Sequence, residues 1–292
     1  MIWLIGNKGM LGTELSLLFE QSGISFTGTD REVDITNREA LLAFTETQQK
    51  SIDWIVNCAA YTAVDKAEDD KDNCRLINVE GAENIAFAAN KIGAKLIHMS
   101  TDYVFNGQSN RPYTEEDITE PIGVYGLTKR SGEIMVLSEN TKTYIIRTAW
   151  LYGKYGANFV HTMLRLMKEK ESVSVVNDQR GSPTWAHDLA QVIITLIHLV
   201  DEGRSIHCGV YNFTNEADIT WFDFAKEIYT QAKALGVLVK NCEVKPCTSS
   251  EFPAKVKRPA YSVLDKTKIK STLGITIPAW DESLHKFLTE IC

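Results

Sequence analysis

The 292-residue sequence predicts a doubly wound α/β fold, a parallel sheet covered by helices on both faces, followed by a smaller α/β lobe. Three observations carry this. Short strands that are apolar throughout alternate with helix-spaced segments across the first half, the mark of parallel strands buried on both faces. A glycine-rich loop follows the first strand directly and opens the first helix. After Trp150 the alternation loosens and prolines gather, at Pro183, Pro246, Pro253, Pro259 and Pro278.

Ile2–Ile5 is the first apolar strand, and Met10–Gln21 has helical spacing. Residues 24–29 predict a second strand and 37–49 a second helix. Residues 54–58 and 95–100 predict strands three and four, with an alanine-rich helix over 79–92 between them. A helix over 127–139 and a fifth strand over 144–148 complete the alternation. Beyond Trp150, helices are expected at 158–170, 187–200 and 220–235, mixed with short strands such as 173–176 and 210–213. No internal repeat or low-complexity linker interrupts the chain.

Composition narrows the function classes. A net charge of −7 argues against a nucleic-acid surface, which needs a basic field. It leaves phosphate ligands open, because backbone amides and a few cations suffice for those. The six cysteines (Cys58, Cys74, Cys208, Cys242, Cys247, Cys292) show no C-x2-C pair and no zinc-finger histidine, so reduced thiols are expected and no metal site. The run Ile2–Ile5 leads into glycines without a basic stretch or cleavage site. Residues 189–200 are too short to span a bilayer and contain Gln191 and His198. A cytoplasmic protein with no membrane partner is the expectation.

The loop Gly6-Asn7-Lys8-Gly9-Met10-Leu11-Gly12 has G-x-x-G-x-x-G spacing. Glycines there permit a tight turn, let a pyrophosphate approach the backbone, and let helix and strand pack closely. The helix N-terminus supplies unpaired amides for the anion. Asp30-Arg31 closes the second strand. The acid suits the ribose hydroxyls of NAD and the arginine the phosphate of NADP, so the preference between NADH and NADPH stays open.

Tyr125 and Lys129 stand four apart and share a helix face. A lysine beside a tyrosine favours the phenolate, which is expected to lower the tyrosine's pKa for proton transfer. Thr101, in Ser100-Thr101-Asp102, stands where the fourth strand ends, the edge at which open α/β sheets bind ligands.

This combination resembles the extended short-chain dehydrogenase/reductases, with their Rossmann-type fold. Further segments resemble the dTDP-4-dehydrorhamnose reductase family within them. These are 57–68 (NCAAYTAVDKAE), 100–105 (STDYVF), 147–153 (RTAWLYG) and 178–184 (DQRGSPT), and the resemblance extends from the first strand to Arg258-Pro259. It implies an enzyme reducing the C4 ketone of a dTDP-linked 4-keto-6-deoxy sugar with NADPH or NADH.

By that resemblance Tyr125 donates the proton, Lys129 binds the nicotinamide ribose, and Thr101 holds the sugar oxygen. Asp102, Val104 and Trp150 would line the sugar site, with the indole against the sugar ring. Asp34 and Ile35 would flank the adenine, and Ala59, Ala60 and Tyr61 would follow the cofactor. Asn158, Arg180 and Arg258 would hold the dTDP part, the guanidiniums suiting its diphosphate. The resemblance also implies residues 1–150 with about 186–212 as the dinucleotide-binding domain. Residues 151–185 and 213–292 would then be the nucleotide-sugar lobe.

One departure concerns assembly. Some members dimerise through a magnesium site of glutamates. Glu14 matches one of these, whereas a later position falls at His187-Asp188, so monomer and homodimer both stay open. Two alternatives also remain: an epimerase on the same fold, and a non-catalytic subunit like that of some methionine adenosyltransferases. Asp102-Tyr103 in place of an Asp-Glu pair disfavours a dehydratase.

Other residues carry plainer expectations. His98 reads as a packed, hydrogen-bonded histidine, and Glu115-Glu116-Asp117 as a solvated loop. Trp221, Phe222 and Phe224 read as core of the second lobe.

Overall fold

The structure, a computed structural model, describes residues 1–252 and 254–291. Pro253 and Cys292 lie outside the described residues, and with them the turn and thiol expected there. In the first half the order is β1 (Ile2–Ile5), α1 (Met10–Gln21), β2 (Phe26–Thr29), α2 (Arg38–Glu46), β3 (Trp54–Asn57), α3 (Val64–Ala67), α4 (Lys71–Arg75), α5 (Ala82–Lys91), β4 (Lys95–Thr101), α6 (Val124–Glu139) and β5 (Thr143–Thr148). Then come β6 (Leu151–Tyr152), α7 (Phe159–Glu169), β7 (Ser172–Val176), β8 (Arg180–Gly181), β9 (Thr184–Trp185), α8 (Ala186–Asp201), β10 (Gly209–Asn212), β11 (Ile219–Thr220), α9 (Trp221–Ala234), β12 (Glu243–Cys247), α10 (Thr267–Leu273) and α11 (Trp280–Ile291).

The main sheet has the order β10-β5-β4-β3-β1-β2, and every pairing in it is parallel. β1 shows how it is covered. Ile2 and Leu4 join a core with α1, α8 and α10, while Trp3 and Ile5 join one with α2, α5 and α6. Alternation along a strand sends neighbouring side chains to opposite faces, so a strand apolar at every position needs helices on both. A separate core, including Tyr152, Phe224 and Phe287, holds α7, β7, α9 and α11 together as the second lobe.

The strand order reverses between β1 and β3, and ligands of open α/β sheets bind outside the carboxyl ends at such a point. The glycine loop after β1 and the segment after β3 both lie there.

Helices α10 and α11 were not among the expected elements, and in the first half the structure departs from expectation in three further places. The helix expected over 79–92 is α5 preceded by a π-helical turn, Leu76–Gly81, because buried Asn78 turns its side chain to the Tyr61 peptide. The short helices α3 and α4, too brief for periodicity to reveal, follow β3. Helix α6 begins at Val124 rather than 127, which puts Tyr125 in its first turn. Gly126 makes that possible: a Cβ there would stand 2.2 Å from the Tyr103 carbonyl oxygen.

No helix among the described residues is long and apolar enough to cross a membrane. Cys58, Cys74, Cys208, Cys242 and Cys247 are free thiols. The acidic loop is not simply solvated. Glu115 accepts the Asn212 backbone N–H at 2.9 Å, and Asp117 takes both guanidinium arms of Arg111 at 2.7 and 2.9 Å. These bonds tie the 106–120 segment to itself and to the end of β10.

Candidate active site

The loop after β1 is shaped to receive an anion. A Cβ on Gly12 would stand 2.1 Å from the Gly6 carbonyl oxygen, so only glycine lets α1 start this close to the strand. Gly9 is the N-cap of α1 and has no side chain to cap it, and the first turn holds no carboxylate. The amides of Met10, Leu11 and Gly12 precede the first intrahelical bond, from Thr13 N–H to Gly9. An uncapped, acid-free helix start at the switch point fits the pyrophosphate of a dinucleotide. The Met10 side chain reaches Gly153, and Leu11 is buried in the core.

Around the loop the other expected residues take up definite partners. Lys8 Nζ lies 3.2 Å from Glu32, whose other oxygen accepts the Asp30 backbone N–H at 2.9 Å. Arg31 is exposed. Asp34 accepts the Thr36 N–H and hydroxyl, and beside it opens a polar cavity of about 650 Å³ lined also by Asn37, Arg38 and Asn84. Ile35 packs against Gly81. Ala59 touches the glycine loop, and its N–H donates to Asn57 Oδ1 at 3.0 Å. Between Ala60 and the π-helical turn, Tyr61 donates its N–H to Asn78 and its hydroxyl to Asp70.

Thr101, Asp102, Tyr125 and Lys129 come together where β4 ends and α6 begins. The Thr101 hydroxyl donates to Asp102 Oδ1 at 3.0 Å and accepts the Tyr103 N–H at 3.2 Å. The Tyr125 phenol stands beside this hydroxyl, which favours its ionised form, and the Tyr103 and Tyr125 rings meet edge to face at 5.6 Å. Lys129, fully buried, donates to the Met99 carbonyl at 2.7 Å and lies 3.4 Å from His98 Nε2.

The electrostatics correct one expectation. Burial pushes the Tyr125 phenol above its ordinary value, and the bond to Thr101 opposes this only in part. Burial also brings Lys129 down to about 8. Desolvation therefore outweighs the expected lysine–tyrosine attraction, and the phenol keeps its proton. Asp102 is likewise raised by burial, to about 6, with the hydrogen bond from Thr101 among the influences that oppose it. Its second oxygen has no partner.

Next to this set, across Tyr103, lies a cavity of about 1200 Å³ bounded by α7, β7, α9 and the 249–260 segment. Arg258 stands in its wall, donating to the Tyr103 hydroxyl at 2.8 Å and to Asp65 at 2.6 Å.

Four residues expected at the sugar nucleotide have partners within the chain. Arg180 is exposed and paired with Asp218, through Nε to its carboxylate at 2.8 Å and through Nη2 to its carbonyl. Asn158 caps α7, accepting the His161 N–H while donating to Gly153 and Gly156. Val104 is buried with Phe105, Tyr113 and Leu264, because the turn over Asp102–Val104 directs it inward. Trp150, at a φ of +47°, stacks one face of its indole on Trp221 at 3.6 Å.

Trp221 itself corrects the core assignment in part. Phe224 is buried, whereas Trp221 is half-buried and lines the cavity beside Phe159. Lys170, Lys255 and Lys257, three cations not expected from the sequence, also line the cavity. The basic run Lys255-Val256-Lys257-Arg258 was the available signal. His98 is packed and hydrogen-bonded, as expected, but its partner on one side is Lys129.

The model of the family described as the RmlD substrate binding domain matches residues 1–292. The chain belongs to this family. A dTDP-4-dehydrorhamnose reductase of Aggregatibacter actinomycetemcomitans is 38% identical over 285 residues, covering 96% of this chain and 95% of the relative. The crystal structure of the Bacillus anthracis dTDP-4-dehydrorhamnose reductase in complex with NADP superposes with a TM-score of 0.91 at 38% identity, covering 99% of this chain and 98% of the other. A Clostridium acetobutylicum ortholog gives 0.90 at 40% identity, with 99% of both chains covered. Family membership and the loop geometry agree, since the uncapped start of α1 provides what an NADP-binding relative requires.

Proposed function

We propose that this chain reduces the C4 ketone of a dTDP-linked 4-keto-6-deoxy sugar, dTDP-4-dehydro-L-rhamnose, to the hydroxyl, using NADPH or NADH. The observation that carries this reading is the meeting of Thr101, Tyr125 and Lys129 between an anion-ready glycine loop and a nucleotide-sized cavity. When bound, the reduced nicotinamide supplies the hydride.

The protein's own part is to bind, orient and protonate. The Thr101 and Tyr125 hydroxyls converge, so a ketone oxygen between them receives two hydrogen bonds that strengthen as it gains charge. Tyr125, holding its proton across the neutral range, gives it to that oxygen. In the free protein Asp102 accepts the Thr101 hydroxyl proton, and the hydroxyl turns from Asp102 to the ketone oxygen when the sugar binds. Residues 1–150 with about 186–212 serve the dinucleotide, and 151–185 with 213–292 the sugar nucleotide. A reaction between two dissolved nucleotides suits the cytoplasm.

The test is loss of reduced-nicotinamide absorbance with the keto sugar nucleotide. Steady consumption of NADPH or NADH is expected. Tightly held dinucleotide with no net consumption would point to an epimerase instead.

Arg258 is a guanidinium in the wall of the cavity, and it serves the diphosphate by exchanging its contacts with Tyr103 and Asp65 for phosphate oxygens. Arg258→Ala is expected to raise the KM for the sugar nucleotide by more than it lowers kcat, because this contact serves ground state and transition state alike. An unchanged KM would assign the diphosphate to the lysines of the same wall.

A further inference from the structure

We infer that Glu32 is a specificity-determining residue: in the free protein its carboxylate occupies the seat that the ribose 2′-phosphate of NADPH would take, and so weighs against NADPH but not against NADH. The inference rests on the dinucleotide reading of the glycine loop and adds to it the residue that sets the choice of dinucleotide.

The way β2 ends builds the seat. The Thr29 carbonyl accepts the Gly6 and Asn7 N–H groups at 2.7 and 3.1 Å, which clamps the end of β2 to the glycine loop. The chain then turns, with the Val33 N–H reaching the Asp30 carbonyl at 3.3 Å. Glu32 is the third residue of this turn, and its side chain folds back over the first. One carboxylate oxygen accepts the Asp30 N–H at 2.9 Å. The other lies 3.2 Å from Lys8 Nζ, which the clamp brings across from the loop.

A backbone N–H and an ammonium that converge on one small anion are also what holds a phosphate. Arg31 adds a third donor group to the same turn. It is exposed and has no partner among the described residues. The end of the second strand beside the glycine loop is where the adenosine ribose of a dinucleotide lies. Glu32 is therefore an anion of the chain's own, standing where an anion of the ligand would stand.

The fold does not depend on this contact. The Lys8 and Glu32 side chains are 65% and 50% exposed, and ion pairs so exposed contribute little to stability. Its weight falls on the ligand instead. NADH brings a ribose hydroxyl, which is neutral and donates to a carboxylate, so Glu32 stays in place. NADPH brings a phosphate, which gains Lys8 and the Asp30 N–H only after Glu32 has swung out. The displaced carboxylate then remains close by as a like charge.

The experiment is calorimetric titration of the full chain, without sugar nucleotide, with NADPH and separately with NADH. Low ionic strength keeps exposed charges from being screened. Glu32→Ala is expected to tighten NADPH by about five- to tenfold, the scale of one exposed charge contact with a doubly charged group, and to leave NADH within about twofold. An unchanged ratio of the two affinities would overturn the inference.

Lys8→Met separates occupancy of the seat from charge at a distance. In that background Glu32→Ala should gain only about twofold for NADPH, because the carboxylate no longer withholds an ammonium. The full gain in both backgrounds would mean that a general field acts, and the seat would be discarded. Absence of binding by either dinucleotide would sink the dinucleotide reading together with this inference, whereas tight binding with an unchanged ratio would sink the inference alone.

Discussion

Tyr125→Phe is expected to lower kcat by at least about 10²-fold, the usual contribution of a positioned acid, while leaving dinucleotide affinity close to wild type. The substitution removes one hydroxyl and keeps the ring that meets Tyr103 edge to face. What is lost is the proton and one of two hydrogen bonds converging on the ketone oxygen. Both interactions strengthen in the transition state, so the loss should appear in kcat more than in KM. Because burial holds the phenol above its ordinary pKa, the wild-type rate should not fall through Tyr125 ionisation anywhere in the neutral range. The check is steady-state turnover beside a direct titration of dinucleotide binding. Turnover within about threefold of wild type would take Tyr125 out of the chemistry.

Arg147→Met should be strongly destabilising. Arg147 on β5 and Glu133 on α6 form a two-pronged pair at 2.8 and 2.7 Å, and each side chain is only 5% exposed. Removing the guanidinium leaves a buried carboxylate without its counter-charge, a loss of about 3–5 kcal/mol. Glu133 stands one turn beyond Lys129 on the helix that carries Tyr125, so the pair also pins that helix to the sheet. Urea unfolding should show a lower midpoint with an unchanged slope. Adding Glu133→Leu should recover much of the loss, because the uncompensated charge goes with it. A single variant as stable as the wild type would show that α6 is held by its apolar face alone.

Much of the fold was legible because burial on two faces demands runs such as Ile2–Ile5. The pairing of Tyr125 with Lys129 was legible because helical spacing puts them on one face. The start of α6 was not, since Val124 and Tyr125 carry no capping signal and the helix begins there through the close approach of Gly126 to Tyr103. The acidity of Tyr125 was misread for a related reason. Spacing reveals the neighbour but not the depth of burial, and here desolvation is the larger influence.

By itself the sequence determined the doubly buried strands, the glycine loop that opens α1 and the shared helix face of Tyr125 and Lys129, all of which depend on residues close together in the chain. The tertiary structure alone decided the partners of the polar and aromatic side chains. Arg180 went to Asp218, Trp150 to Trp221, and His98 to both Asn57 and Lys129. The reason is physical. Periodicity records which face of an element leaves water, whereas a hydrogen bond or ring stack depends on which distant segment arrives opposite it.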